Sequence, residues 1–247
     1  MSWRWPYVTE LAAMPTDWNK ALAVVAHPDD LEYGASGAIA RWTEEGREVV
    51  YLLATRGEAG IDSMDPSEAG PLREREQLAS AAVVGVDKVE FLEHPDGVIE
   101  HSLELRKDIA TAIRRHQPEL VITTNHRETW PGGFQNMADH RAVGAATIDA
   151  VRDAGNRWVF PELLEQELEP WDGVRWVAAN SSPNGSHAVD ITDTFDKAVE
   201  SLQAHETYLA GLRGVMADPD TFLRTMAESV GKIFGCELAC SFELIEM

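Results

Sequence analysis

Cysteine is nearly absent from this chain: only Cys236 and Cys240 occur in 247 residues. They stand four apart with no second pair and no nearby histidine, which excludes a zinc-finger pattern and a disulfide-dense scaffold. Two ordinary reduced thiols are expected. Positive charge is scarce as well. Lysine and arginine number 21 against 42 acidic residues, a formal charge of -21. Duplex nucleic acid and anionic lipid would be repelled, so neither is expected as a partner. A small neutral molecule suits this balance better. Long apolar runs are missing too: none approaches the roughly 18 residues of a membrane span. The opening MSWRWPYVTELAAMPTDWNK lacks a basic start followed by an apolar core, and a cytoplasmic location is the expectation.

What is present is a repeated alternation. With 44% hydrophobic residues, the chain carries enough apolar surface for one large core, and residues 1–247 are read as a single domain. Apolar runs recur at 21–26, 48–55, 89–93, 120–125 and 174–180. They are continuous rather than alternating, as in strands covered on both faces. Between them, 34–45, 71–84, 102–116 and 139–153 have helical spacing, with Gly46, Gly85 and Gly155 at their ends. This βαβ pattern predicts an α/β fold, a Rossmann-like three-layer sandwich on a mostly parallel sheet. Residues 156–173 read as an irregular excursion, and 193–213 and 219–234 as two further helices. That excursion and the Trp-rich N-terminus are the segments a homo-oligomer would use as interface.

Ligands of open parallel sheets bind at the carboxyl ends of the strands. The first such end reads AHPDDLEYGASG, with no G-x-G-x-x-G to wrap a dinucleotide. It offers instead one imidazole and two carboxylates. His27 and Asp30, three apart in a turn, reach toward one divalent ion, while Asp29 points elsewhere and is left beside it. A free carboxylate next to a metal-activated water is what hydrolysis needs. The pair Asp29-Asp30 also fits a plain helix N-cap. A third ligand is on offer in ADHRAVG, where His140 opens the 139–153 helix at the same sheet edge. Two histidines and one aspartate leave an open position, as in catalytic zinc sites. Asp139 is expected to cap that helix or to orient a ligand.

AHPDD after the first strand, TRGEAG after the second, DG after the third and DHRAVG after the fourth resemble, in order, the motifs of the LmbE or PIG-L family of zinc-dependent N-acetylglucosaminyl deacetylases. The match spans about residues 21–195. The resemblance implies an LmbE-like fold, zinc held by His27, Asp30 and His140, and Asp29 as the general base that returns its proton to the departing amine. The substrate would be an acetamido-sugar conjugate and the products acetate and a free amino sugar. Many family members carry H-P-D-H in the second motif, the outer histidine stabilising the tetrahedral intermediate. Here Met137 stands in that place, with no proton to give.

The missing donor is sought in His187 of SPNGSHAVDIT, just past the fifth strand, with His126 and Asn136 as weaker candidates; an ordinary surface turn is the alternative for His187. Arg56 and Glu58 match the family's substrate-side loop, Arg56 gripping the substrate and Glu58 bracing it, unless they form a surface ion pair. Asp96 in HPDG is read as a partner for sugar hydroxyls, or as an Asp-Gly turn. Trp130 and Phe134 flank a Pro-Gly-Gly hinge, either as a sugar-facing lid or as anchors of the loop. His94, His101, His116 and His205 have no partner motif and are read as structural or solvent-facing. Two other functions stay open: an amidase for a larger acyl group, and a metal- or sugar-binding relative without turnover.

Overall fold

The structure is a computed structural model in which residues 10–247 are described. In chain order its elements are β1 (Ala12–Ala13), β2 (Lys20–Val25), α1 (Ser36–Glu44), β3 (Glu48–Leu53), α2 (Pro66–Val83), β4 (Lys88–Phe91), α3 (Leu103–His116), β5 (Leu120–Thr123), α4 (Ala138–Gly155), β6 (Trp176–Asn180), β7 (His187–Asp190), α5 (Phe195–Gln203), α6 (Glu206–Gly211), α7 (Pro219–Phe234) and β8 (Ala239–Glu246). The strands form one sheet in the order β1-β7-β8-β6-β5-β2-β3-β4. Every pairing is parallel except those of β8 with β6 and β7.

Alternate residues of each central strand feed two cores. Ala21, Ala23, Val25, Tyr51 and Leu53 pack under α1, α5 and α7, while Leu22, Val24, Val50 and Leu52 pack under α3 and α4. Both faces are covered, which is why these strands read as unbroken apolar runs. The expected three-layer α/β sandwich is what the chain builds. Trp-rich as the N-terminus is, Trp3 and Trp5 lie outside the described residues; Trp18 is buried edge-on against Trp42, ring centroids 5.2 Å apart.

The order of strands decides where a ligand fits. From β2 the chain moves outward to β3 and β4, then crosses back to place β5 on the other side of β2. The crevice at such a reversal opens above the carboxyl ends of the two flanking strands. Those strands are β2 and β5, the ones that lead into His27 and His140. Gly144 lets α4 settle onto the end of β5, since a Cβ there would lie 2.8 Å from His126 Cβ and 2.9 Å from the Thr124 carbonyl oxygen.

Several local expectations change. Helix α2 begins five residues before 71, at Pro66, with Asp65 accepting from the Ser67 amide as its cap; Pro71 lies inside the helix rather than starting it. The 193–213 segment breaks at His205 between α5 and α6. Strands β1, β7 and β8 were not foreseen. Gly46 and Gly85 adopt positive φ at helix ends as expected, whereas Gly155 is simply the last residue of α4. Cys236 and Cys240 are unpaired. Among the described residues no helix is long and apolar enough to cross a membrane.

Candidate active site

Strand β2 ends in a turn that Asp30 both shapes and opens. Its Oδ2 accepts the amides of Ala26 and His27, each at 3.0 Å, which pins the turn. Its Oδ1 is turned the other way, 2.9 Å from His140 Nε2 and 3.7 Å from His27 Nδ1. The N-cap alternative does not hold, since the next helix begins at Ser36 without a side-chain cap; Asp30 instead fastens the preceding turn with one oxygen and turns the other to the histidines. His27 Nδ1 and His140 Nε2 face each other at 3.3 Å. A tetrahedral ion with ligands at 2.0–2.1 Å spaces its donors by about 3.3 Å. Separations of 2.9, 3.3 and 3.7 Å therefore fit one small divalent cation, and the donor set of two imidazoles and one carboxylate suits zinc. All three side chains are buried. Burial opposes the charge on Asp30, yet His140 and His27 hold its carboxyl far below the usual range.

The two imidazoles are aimed by their other nitrogens. His27 Nε2 lies 3.0 Å from Asp96 Oδ1 and 3.2 Å from Asp139 Oδ2. With the proton on Nε2, the Nδ1 lone pair is left for a metal. Asp139 is fixed in turn by the amides of Gly97 and Ile99 at 2.7 and 3.1 Å. It does not cap α4, whose N-cap position is Met137 and which has no side-chain cap, so of the two expected roles it fills the orienting one. His140 Nδ1 sits 3.2 Å from Asn136 Oδ1, whose amide group donates to the carbonyls of Asn125 and Arg127. The set His27, Asp96 and Asp139 also satisfies metal-ligand spacing, but it draws on the nitrogen of His27 that faces away from His140 and Asp30. Burial works against a charged His27, and the surrounding Asp139, Asp30 and Asp96 nevertheless raise its pKa well above the ordinary value. In Asp139→Asn, isothermal titration is expected to show zinc affinity reduced about 10- to 100-fold.

Asp29 stands apart from the ligands. Its backbone is left-handed, φ 78°, a conformation that costs a non-glycine residue about 1–2 kcal/mol. Two side chains hold it there. Its amide donates to Gln77 Oε1 at 3.0 Å, and its Oδ2 accepts from Arg73 Nη2. Arg73, only 3% exposed, also donates to the carbonyls of Gly57 (2.9 Å) and Pro28 (2.8 Å) and lies 4.3 Å from the centre of the Tyr208 ring. Gly57 has φ 64°, and a Cβ there would collide with the Arg73 guanidinium. Burial pushes the Asp29 carboxyl up to about 6, with Arg73 pulling the other way.

Behind Asp29 lies a second buried polar group. Glu32, 1% exposed, accepts through Oε1 from Gln77 Nε2 at 2.9 Å and Ser80 Oγ at 2.6 Å. His205 Nε2 is 3.9 Å from the same oxygen, an ion-pair rather than a hydrogen-bond separation. Burial opposes both charges, but the contact keeps Glu32 below and His205 above its ordinary pKa.

Of the residues singled out from sequence, His27, Asp29, Asp30, Asp96, Trp130 and His140 converge. Trp130 meets His140 edge to face at 5.5 Å. Its loop is a closed hairpin, with the Trp130 amide on the Phe134 carbonyl at 2.7 Å and a bridge between Thr129 and Gln135, rather than an open hinge. Asp96 was expected to meet sugar hydroxyls; its oxygens are instead engaged by His27 and by the Ala59 amide at 2.8 Å. Arg56 is turned to Glu74, Glu93 and the Leu92 carbonyl. Glu58 does not brace its guanidinium but accepts the backbone amides of Arg56 and Asp96, tying two loops together.

His187 does not join the site. It opens β7, four strand positions from β2, roughly 19 Å across a sheet with about 4.8 Å per strand, and its Nδ1 lies 2.9 Å from Ser186 Oγ. The reason is β8, which inserts between β6 and β7 and so separates the segment after β6 from the switch point. His94, His101 and His116 pair with Asp108, Asp149 and Glu90, as structural residues do. Arg73, Gln77, Glu32 and Tyr208 belong to no motif singled out from sequence, and His205, read there as structural or solvent-facing, is fully buried. One signal was available: Arg73, Gln77 and Ser80 follow the i, i+4, i+7 spacing of a single helix face, and that face is buried.

The chain is thus an α/β protein whose single, mostly parallel sheet carries at its switch point a two-histidine, one-aspartate cluster that could hold a metal ion. The family model described as GlcNAc-PI de-N-acetylase (PIG-L) matches residues 22–151, and the chain belongs to the PIG-L family. It is 31% identical over 221 residues to the diacetylchitobiose deacetylase of Thermococcus kodakarensis, covering 89% of this chain and 80% of the relative. The solved N,N'-diacetylchitobiose deacetylase of Pyrococcus horikoshii, bound to an inhibitor, superposes with a TM-score of 0.84 at 26% identity, over 93% of this chain and 85% of that one. A relative of a different kind is the 4-oxalmesaconate hydratase of Pseudomonas putida, 27% identical over 86% of each chain.

Proposed function

We propose that the protein is a zinc-dependent deacetylase that hydrolyses the N-acetyl group of an N-acetylglucosamine-containing conjugate. The observation that carries the reading is the separation of roles around one point: three donors converge, while the Asp29 carboxylate is held beside them by a left-handed backbone and takes no part in the cluster. The similarity to two diacetylchitobiose deacetylases supports the acetamido sugar as substrate class.

His27, Asp30 and His140 would hold the cation, with Asp96, Asp139 and Asn136 keeping the imidazoles aimed. Bound there, zinc supplies Lewis acidity toward water and toward an amide carbonyl. Asp29 accepts the proton of the attacking water and returns it to the nitrogen of the departing amine as the C–N bond breaks, giving acetate and a free amino sugar. Arg73 keeps the carboxylate pointed and offsets its desolvation. Met137, 54% exposed, contributes no hydrogen-bond donor from its side chain.

Zinc-loaded protein is expected to release acetate from at least one member of a panel of N-acetylglucosamine conjugates, to lose that activity on chelation and to regain it with added zinc. Acetate also separates this reading from a hydratase, which adds water to a C=C bond and releases no acid. A second reading, removal of a larger acyl group, is favoured by exposed apolar side chains next to the site: Val98 between the two amides that hold Asp139, and Met137 at the start of the His140 helix. Including N-hexanoyl conjugates in the panel decides it, through the ratio of kcat/KM for the two acyl groups.

A further inference from the structure

Glu32 and His205 are buried titratable groups that neither hold the cation nor face the substrate, and burying such a pair is unfavourable unless it does something apolar side chains would not. We propose that they are positioning residues: the pair fixes the orientation of Gln77, and Gln77 fixes the backbone of Asp29. The inference rests on Asp29 being the base.

A glutamine amide presents a donor and an acceptor of nearly equal shape, and its neighbours decide which points where. Glu32 Oε1 accepts from Gln77 Nε2 at 2.9 Å, so Gln77 Oε1 is left facing the Asp29 amide at 3.0 Å. Reversing the amide would put its NH2 group against the Asp29 N–H and free the left-handed residue to relax. The acceptor polarity of Glu32 is maintained by Ser80 Oγ and by His205 from the α5–α6 junction. The same short segment reaches the other holder of Asp29. Thr207 pins the segment to α2 through its amide on Glu76 Oε1 at 2.6 Å, and Tyr208 packs over Arg73 at 4.3 Å. Residues 205–208 thus back both the amide and the carboxylate of Asp29 from the far end of the chain.

The test uses the full chain with His205→Leu and, because that variant leaves a buried charge unpaired, Glu32→Gln, which keeps shape but removes the acceptor-only character. Amide exchange of Asp29, read by NMR in 15N-aspartate-labelled protein, is expected to accelerate about tenfold in both while β2 amides keep their protection. Turnover is expected to fall about tenfold in kcat with KM within about twofold, and neither substitution should lower the rate further in an Asp29→Asn background. Unchanged Asp29 exchange in both variants overturns the proposal, as does an equal loss of rate with and without the Asp29 carboxylate. A wild-type chain that releases acetate from no conjugate removes the deacetylase reading, while faster Asp29 exchange in the variants would still establish the positioning.

Discussion

Asp29→Asn is expected to lower kcat by about 10²–10⁴-fold while leaving zinc stoichiometry at one per chain. The amide has nearly the shape of the carboxylate and still accepts from Arg73 through its oxygen, but it cannot take a proton from water. Because Asp29 lies outside the converging donors, the metal should stay. Equal loss of zinc and activity would show that Asp29 belongs to the cluster and would remove its role as base. The pH dependence has a definite sign. The base works ionised, so activity rises with pH through its pKa. Burial lifts that value to about 6 in the cation-free protein, and a bound dication, favouring the anion, displaces the acid limb downward. For stability the direction is opposite. The folded state holds this proton more tightly than the unfolded chain, so the contribution is greatest at acid pH and is lost as pH rises through about 6.

Arg73→Leu is expected to produce the largest loss of stability among the site variants, about 3–5 kcal/mol at neutral pH. That corresponds to a fall in Tm of about 10 °C for a chain of this size. The substitution leaves the Asp29 carboxylate without its counter-charge and the Pro28 carbonyl without its Arg73 donor, and it removes one of the two donors to the Gly57 carbonyl, which keeps the Gly60 amide at 3.0 Å. Arg73 also lowers the pKa of Asp29, so its removal moves the acid limb of kcat/KM upward. Near pH 5 the loss of stability should shrink, because a protonated Asp29 no longer needs a counter-charge. Thermal unfolding at the two pH values checks this; a loss that does not depend on pH would show that the guanidinium acts through its carbonyl hydrogen bonds and packing rather than as a counter-charge to Asp29. Arg73→Lys should not restore the wild type, since one ammonium cannot reach Asp29, Gly57 and Pro28 as the planar fork does.

The fold was legible because its central strands are buried on both faces and its helices follow them in regular alternation. The strands that went unseen, β1, β7 and β8, lie on one side of the sheet, where β1 is two residues long and β7 four. Segments as short as β1 and β7 carry too little periodicity to identify themselves; the eight-residue β8 follows a helix outside the regular alternation and pairs antiparallel. The site was legible in so far as its groups are near neighbours in sequence: His27, Asp29 and Asp30 within one turn, His140 at the head of a helix. His187 failed because adjacency to a strand end says nothing about which strand will lie next to it. Arg56 and Glu58 occupy the loop expected of them, but their side chains turn to neighbouring carboxylates and amides rather than to the opening.

By itself the sequence determined the class of fold and which metal-ligating residue types stand at the strand ends, since these follow from residue type and local spacing; the separate roles of the two adjacent aspartates were implied by the family resemblance. Only the tertiary structure decided which nitrogen of each histidine faces the others, and that Asp96 and Asp139 are the groups that set this for His27. It also decided that Asp29 is held from behind by Arg73, Gln77, Glu32 and His205. The physical reason is distance along the chain. A carboxylate near the head of one loop is oriented by an arginine 44 residues later and backed by a histidine from the last third of the molecule, and such contacts exist only once the sheet order has brought their elements together.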